Sequence, residues 1–487
     1  MIILTAPLTE TDRYKWVALA VASLGTLVGI LNASTLIIAL PTIMVDLDTN
    51  LIGVMWVLIA YTLIITILAP ACGRLADIHG RKKLYVFGLV AFTIGSLLCG
   101  FAANITQLIG FRILQAVGGA FLVANGNILV VDAFPPYELG KAMGVLSMIK
   151  AAAFAVGPIL GGFLTMIDWR LNFFFNVPIG LVVAYVAHTR LREVTEFSGK
   201  ESFDVPGILL FTVAFVTLAV YLSVGLIFGL LSVPMLATLA VGIISLVAFI
   251  RHELTIQDPL IDLSLFGIRI FTYGQASAFL NSIARGAVMI MMILFFQGLR
   301  GYDPLMASIL ITPMAIGLII AGPLGGNLSD KYGSRLISTG GLVLSLVGLV
   351  GLSMMQYDTT YRVLAVWMFV HGFGSGLFQP PNTSAIMASV PLKRRGVASS
   401  MRSFLNTSGM VISMTIALPL LLSTIPLEMM MNMFVVGGMN MPIDTQITFT
   451  TGIAFVFFIS SVLTVPAIIV SAMRGSEDVG RSREQAG

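Results

Sequence analysis

The chain has 487 residues, of which 57% are apolar and only 10% charged, with a mean hydropathy of +0.98. A soluble protein carries roughly a quarter charged residues to coat its surface, so a water-soluble enzyme or binding domain is excluded. The net charge of +4 and the pI near 9.1 do not imply a nucleic-acid partner, because the bases sit in short connectors between apolar runs.

Taken in chain order, the apolar runs predict fourteen membrane-crossing helices: 16–42, 51–72, 84–103, 106–131, 142–165, 172–192, 206–225, 232–251, 271–297, 305–325, 336–355, 362–388, 398–423 and 448–472. The stretches Trp16–Leu40 and Leu51–Gly73 contain no charge, and each exceeds the ~20 residues a helix needs to cross the hydrocarbon. The first run follows Asp12, Arg13 and Lys15, is too long for a signal-peptide core and lacks an A-x-A-like cleavage site. It therefore reads as a retained helix.

An even number of spans puts both termini on one side. One set of connectors holds Arg74, Arg81, Lys82, Lys83, Lys141, Arg190, Arg192, Lys200, Arg251, Arg269, Lys331, Arg335 and Lys393 to Arg395; the alternate set holds Arg170, Arg300, Arg362 and little else. The positive-inside rule assigns the first set, with both termini, to the cytoplasm. An integral protein of the cell membrane is expected. Cys72 and Cys99 fall in or at the ends of apolar spans and read as small packing residues. The Met-rich stretch from Glu428 to Met441 could offer thioethers to Cu(I). No His or Cys accompanies them, however, and methionine suits an adaptable apolar hairpin, so no metal site is assigned.

An internal repeat joins Gly73-Arg-Leu-Ala-Asp77-Ile-His-Gly80-Arg81, after span 2, to Gly326-Asn-Leu-Ser-Asp330-Lys-Tyr-Gly333-Ser-Arg335, after span 10. A second echo links Phe134–Lys141, after span 4, to Val390–Gly396, after span 12. Both pairs are offset by eight helices, so two six-helix halves are separated by an extra pair, spans 7 and 8. This predicts residues 1–200 as one bundle, 201–260 as a linking pair, and 261–487 as a second bundle with its tail. Parallel halves of this kind meet at a central site in transporters.

In the repeated connector, Gly73 and Gly80 permit close approach and tight turning, while Asp77 can accept from a helix N-terminus and pair with Arg81. The pattern resembles motif A of the major facilitator superfamily. That resemblance implies that Asp77 and Arg81, and more weakly Asp330 and Arg335, form a conformational latch. Leu108-x-x-x-Arg112-x-x-Gln115-x-x-Gly118 resembles the family's motif B. Ala153-x-x-x-Gly157-Pro158-x-x-Gly161-Gly162 resembles motif C, the antiporter signature. Two inserted helices and a long connector over 424–447 resemble the fourteen-helix drug:proton antiporter branch. The resemblance implies alternating-access transport of small molecules, with multidrug-type efflux and proton or other ion coupling, no cofactor, and a monomer contacting membrane lipid.

The chain departs from that branch where the first helix usually carries a carboxylate: here Asn32 stands in its place. None of the 23 acidic residues falls at mid-membrane depth. The buried charges have the other sign: Arg112 in span 4, Lys150 in span 5, Arg285 in span 9 and His371 in span 12. Ionisable groups are costly in a bilayer and usually face a cavity or a partner, so Asn32, Arg112, Gln115, Lys150, Asn281, Arg285 and His371 are the candidate substrate or proton pathway. Gln275, Gln297, Gln379, Asn382, Asn125 and Asn127 are further polar candidates. Lys150, Gly157 and Gly161 share one helix face, expected at the interface between the halves. Lys150 and His371 are the candidate proton carriers. A basic cavity also suits an anionic metabolite or a lipid head group, because fixed positive charge repels cationic drugs. No H-E-x-x-H, G-x-S-x-G or P-loop pattern occurs, so neither membrane-embedded catalysis nor ATP-driven transport is expected.

Overall fold

The computed structural model describes residues 10–135, 138–193, 204–256, 263–391, 394–426, 429–430, 433 and 438–475. Fourteen helical spans follow in order: α1 Glu10–Asp46, α2 Leu51–His79, α3 Arg81–Gly100, α4 Ile105–Ala133, α5 Leu139–Ile167, α6 Leu171–Arg190, α7 Val205–Phe228, α8 Val233–Glu253, α9 Arg269–Leu299, α10 Pro304–Tyr332, α11 Ser334–Ser353, α12 Tyr361–Ala388, α13 Arg395–Leu422 and α14 Ile443–Met473. Among the described residues there is no strand. Thirteen of these spans are long and apolar enough to cross a bilayer. The other, α12, has the length but carries Arg362, His371, Gln379 and Asn382 along with several glycines.

Local chemistry sets the boundaries. Asn50, Asn104, Asp204 and Asp303 each accept a backbone N–H of the first turn they precede, at 2.8–3.0 Å, satisfying a donor the helix itself leaves open. The sharp turns from α2 to α3 and from α10 to α11 use Gly80 and Gly333, with φ of 104° and 84°, a region that side chains disfavour. Gly73 does not play the expected part. A Cβ there would meet only the Ala124 Cβ, at 3.8 Å, which is ordinary contact, so a small residue is not required for packing.

Helices α1 to α6 pack on one another, as do α9 to α14. Lipid tails are as apolar as leucine, so helix association here relies on close packing and hydrogen bonds rather than on escape from water. Backbone-to-backbone approaches at glycine show this, and they recur between the halves. A Cβ on Gly88 would lie 3.1 Å from the Gly118 carbonyl, and one on Gly341 would lie 2.8 Å from the Gly374 carbonyl. Likewise Gly95 abuts the backbone of Gln115, and Gly348 that of His371. The two halves are thus one design repeated, with His371 at the place Gln115 holds in the first.

The inserted pair α7 and α8 pack together, and α7 also touches α2 and α13, one helix from each half. Phe211 of α7 packs against Phe249 of α8, and Phe211 and Phe215 both pack against Phe404 of α13. An even number of crossings brings Glu10 and Met473 to the same face, which also carries Arg81, Lys82 and Arg394 and is called the basic face below. On the opposite face the halves are sealed. A continuous apolar cluster there includes Ile38 of α1, Val54 of α2, Phe295 of α9, Ile311 of α10 and Leu421 of α13. Gln297 donates across it to the Ile38 carbonyl at 2.9 Å.

Candidate functional site

Span α9 is discontinuous. Its first segment ends at Arg285, Gly286 and Ala287 form a turn, and the helix resumes over Val288–Ile293 before a π-helical turn, Leu294–Leu299. Ser413 of α13 accepts the Ala287 N–H at 2.9 Å, serving a backbone group at the break. Irregular backbone at membrane depth is tolerated where protein or a cavity surrounds it, and π-turns concentrate at functional places. Arg285 sits at this break, half-buried, and its Nε has no hydrogen-bond partner.

Arg402 of α13 is in the same position: half-buried, with an unpartnered Nε. Ser282 donates to Asn406 Oδ1 at 2.7 Å, tying α9 to α13. Arg285 lies three residues after Ser282 and Arg402 four before Asn406, so each shares its helix face with the tie. Lys150 Nζ donates to Asn127 Oδ1 at 3.1 Å. Among the described residues no Asp or Glu pairs with any of these cations. His371 is 3% exposed and meets Ser345 Oγ at 3.0 Å through Nδ1. It is packed inside the second half and does not face Lys150. Asn281 is buried one turn before Arg285.

A second polar group fills the first half. Arg112 is fully buried; its guanidinium donates to the Val57 carbonyl at 3.2 Å and to Gln115 Oε1 at 2.5 Å, and lies 3.9 Å above the Tyr61 ring. Gln115 donates to Asn32 Oδ1 at 3.2 Å, and Asn176 of α6 donates to the same oxygen at 3.3 Å. One terminal nitrogen of Arg112 and Nδ2 of Asn32 have no partner.

The structure therefore brings Asn32, Arg112 and Gln115 together, while Lys150 bonds Asn127 in the first half and Arg285 sits at the break in α9 of the second. The face expected to join the halves is corrected. A Cβ on Gly157 would strike Ser34 Oγ, and one on Gly161 would lie 2.5 Å from Thr35 Cα, so both pack on α1 within their own half. The next residue, turned ~100° round the helix, is the one at the seam. A Cβ on Gly162 would lie 2.7 Å from the Pro304 carbonyl and 2.9 Å from Leu305 Cα of α10. Pro158 lines a small cleft with Met289 and Ser308 beside that contact.

At the basic face, Arg81 pairs with Asp132 at the end of α4, and Glu193 accepts the Lys82 N–H at 3.2 Å. The side chains of Asp77 and Asp330 lie outside the described residues, and Arg335 is exposed. In the second half, buried Arg474 holds this corner: it donates to Asn382 Oδ1 at 2.9 Å, Ser334 Oγ at 2.7 Å and Ser338 Oγ at 3.5 Å. In the Met-rich stretch, Met430 and Met433 are buried in the apolar cluster of the opposite face.

Sequence reasoning missed Arg402, Asn176, Arg474 and Asp132 as Arg81's partner. Arg402 lay too near the expected start of its span at 398, whereas α13 begins at Arg395. Asn172 and Asn176, one turn apart, were the readable signal at the start of α6. Arg474 followed the expected end of the last span and resembled an ordinary positive flank.

Residues 22–268 and 276–484 match the sequence profile of the Major Facilitator Superfamily. The riboflavin transporter RibZ of Clostridioides difficile (strain 630) is 33% identical over 392 residues, covering 80% of this chain and 84% of that protein. Multidrug resistance protein 3 of Bacillus subtilis (strain 168) is 31% identical over 413 residues, covering 84% and 80%. Among solved structures, a bacterial homolog of the human lysosomal transporter Spinster, inward-facing and unoccupied, superposes with a TM-score of 0.68 at 15% identity. That match covers 95% of this chain and 97% of the other.

Proposed function

The chain belongs to the Major Facilitator Superfamily, and from that membership we propose an alternating-access exporter of amphipathic small molecules that carry a negative charge. It is an integral membrane transporter; its place is the cytoplasmic membrane, with the basic face and both termini inside. Residues 1–200 and 261–487 are the moving units, and 201–260 the pair that links them along the seam. On this reading the sealed opposite face is external, and the conformation described is inward-facing.

The observation that carries the cargo reading is the set of cations at the seam. Lys150, Arg285 and Arg402 lie within α5, α9 and α13, and among the described residues no carboxylate pairs with any of them. At an effective dielectric of ~20, a unit charge ~5 Å away contributes about 3 kcal/mol, attractive for an anion and repulsive for a cation. A cationic drug, the usual load of a multidrug exporter, therefore fits this site poorly. The relatives named as a riboflavin transporter and a multidrug resistance protein support an organic cargo. The antiporter-type helix motif supports coupling to an ion, and proton coupling is assigned to Lys150 or His371.

Transport by purified protein in liposomes tests this, with imposed pH and sodium gradients and a panel of anionic, neutral and cationic aromatic compounds. The expected result is gradient-driven movement of the anions, with proton coupling lost in Lys150→Ala or His371→Ala. Transport of quaternary ammonium compounds in preference to the anions would overturn the cargo assignment. Undiminished proton drive in both variants would remove the coupling assignment.

A further inference from the structure

The cargo and coupling roles above leave Arg112 unused, although it is a full positive charge with no exposed surface. A guanidinium stays protonated in a protein, and among the described residues no Asp or Glu pairs with this one. Its hydrogen bonds go to neutral acceptors, the Val57 carbonyl and Gln115 Oε1. The Tyr61 ring covers a face of the guanidinium at 3.9 Å, and stacking on that face leaves the in-plane N–H groups still to be satisfied. Nη2 is buried without a partner.

Because Arg112 can only donate, it sets the sense of the amides behind it. Gln115 turns its oxygen to Arg112 and its nitrogen to Asn32 Oδ1, and Asn176 donates to that same oxygen. Asn32 is thereby held with its own Nδ2 as a second buried donor that has no partner. The group combines unused N–H donors with an uncompensated charge, a costly arrangement in a medium that screens poorly. Three residues before Asn32, a Cβ on Gly29 would meet no atom within 4 Å, so open space reaches the level of this group.

We propose that Arg112 holds a small monovalent inorganic anion, chloride or another halide, as a resident counter-ion. The ion accepts from Nη2 and offsets the guanidinium charge. The Tyr61 and Phe173 rings, 3.9 and 5.8 Å from the guanidinium carbon, make the surroundings apolar, and a halide loses less hydration there than sulfate or phosphate does. The site lies in the first half, apart from Arg285 and Arg402, and the inference stands independently of the cargo reading.

The test follows the unfolding temperature of the full chain in lipid nanodiscs as chloride replaces gluconate at constant ionic strength. A saturable rise of about 2–4 °C is expected, reproduced by bromide. Asn32→Asp places a fixed negative charge in the same network; it should raise the unfolding temperature in gluconate and remove most of the halide response. Arg112→Gln should remove the response as well. No saturable response in the wild type would overturn the inference, and so would a full response that survives in Asn32→Asp. A response lost in Arg285→Gln but kept in Arg112→Gln would place the anion at the α9 break instead and overturn the assignment. Stabilisation by acetate without any by chloride would overturn the halide and mark a carboxylate site. Should Arg112→Gln fail to fold, Asn32→Asp carries the test alone.

Discussion

Adjacent glycines on α5 offer a sharp separation between packing within a half and closure between halves. In Gly162→Ala the new methyl would lie 2.7 Å from the Pro304 carbonyl and 2.9 Å from Leu305 Cα, against an ordinary contact of 3.4 Å or more. Both are backbone atoms of α10, so relief requires that helix to withdraw by about 0.7 Å. Overpacking of this kind costs roughly 1–3 kcal/mol, and here the cost falls only on the conformation that is sealed on the opposite face. A bias of that size shifts the sealed-to-open ratio by about 5–150-fold. In Gly161→Ala the methyl meets Thr35 backbone on α1 at 2.5 and 2.6 Å, within one half, where the same cost is paid in both conformations. Spin labels at Thr106 and Met354, exposed on the opposite face in different halves, report the difference by pulsed dipolar spectroscopy. Cys72 and Cys99 are buried and do not compete for the label. The expected result is a longer, broader distance in Gly162→Ala, and a wild-type distance with a lower unfolding temperature in Gly161→Ala. A wild-type distance in Gly162→Ala, or an equal shift in both variants, would refute the reasoning.

Gln115→Leu removes the oxygen that accepts from Arg112 and the amide that donates to Asn32; unfolding of the purified protein should show a loss of about 2–5 kcal/mol, and Gln115→Glu should recover part of it by giving Arg112 a counter-charge. Arg474→Ala deletes three buried guanidinium bonds at the basic end of α14 and should cost roughly 3–5 kcal/mol; Arg474→Lys should rescue little, since one ammonium cannot span Asn382 and Ser334 as a planar fork does. Arg285→Gln should weaken a bound aromatic monosulfonate by about tenfold or more, with a neutral analogue of the same ring changed less than about threefold, both read by calorimetry.

The outline of the molecule was legible because bilayer thickness and connector charge act on long windows of sequence, and the errors of single residues average out. The turn glycines Gly80 and Gly333 were legible too, since a positive φ restricts residue choice locally. The interior was less so. The break in α9 is written only as Gly286-Ala287, a pair common in membrane helices, and it becomes visible once Ser413 is seen serving the freed N–H. Which glycine of Gly157, Gly161 and Gly162 meets the other half depends on helix rotation within the bundle, and one residue changes the answer. The equivalence of Gln115 with His371 could not be read from side chains that share no chemistry; it rests on the glycines that approach their backbones. Arg402 illustrates the boundary problem: placed four residues into a span it reads as a flank, and two turns into the helix it becomes part of the site.

Counterflow in proteoliposomes tests the central claim most directly. Vesicles loaded with unlabelled naphthalene-1-sulfonate receive a trace of the labelled compound outside, with no ion gradient imposed. A carrier that alternates around a basic site containing Arg285 predicts transient accumulation of label above equilibrium, abolished in Arg285→Gln. Entry that rises smoothly to equilibrium without overshoot, or overshoot that persists in Arg285→Gln, would contradict it.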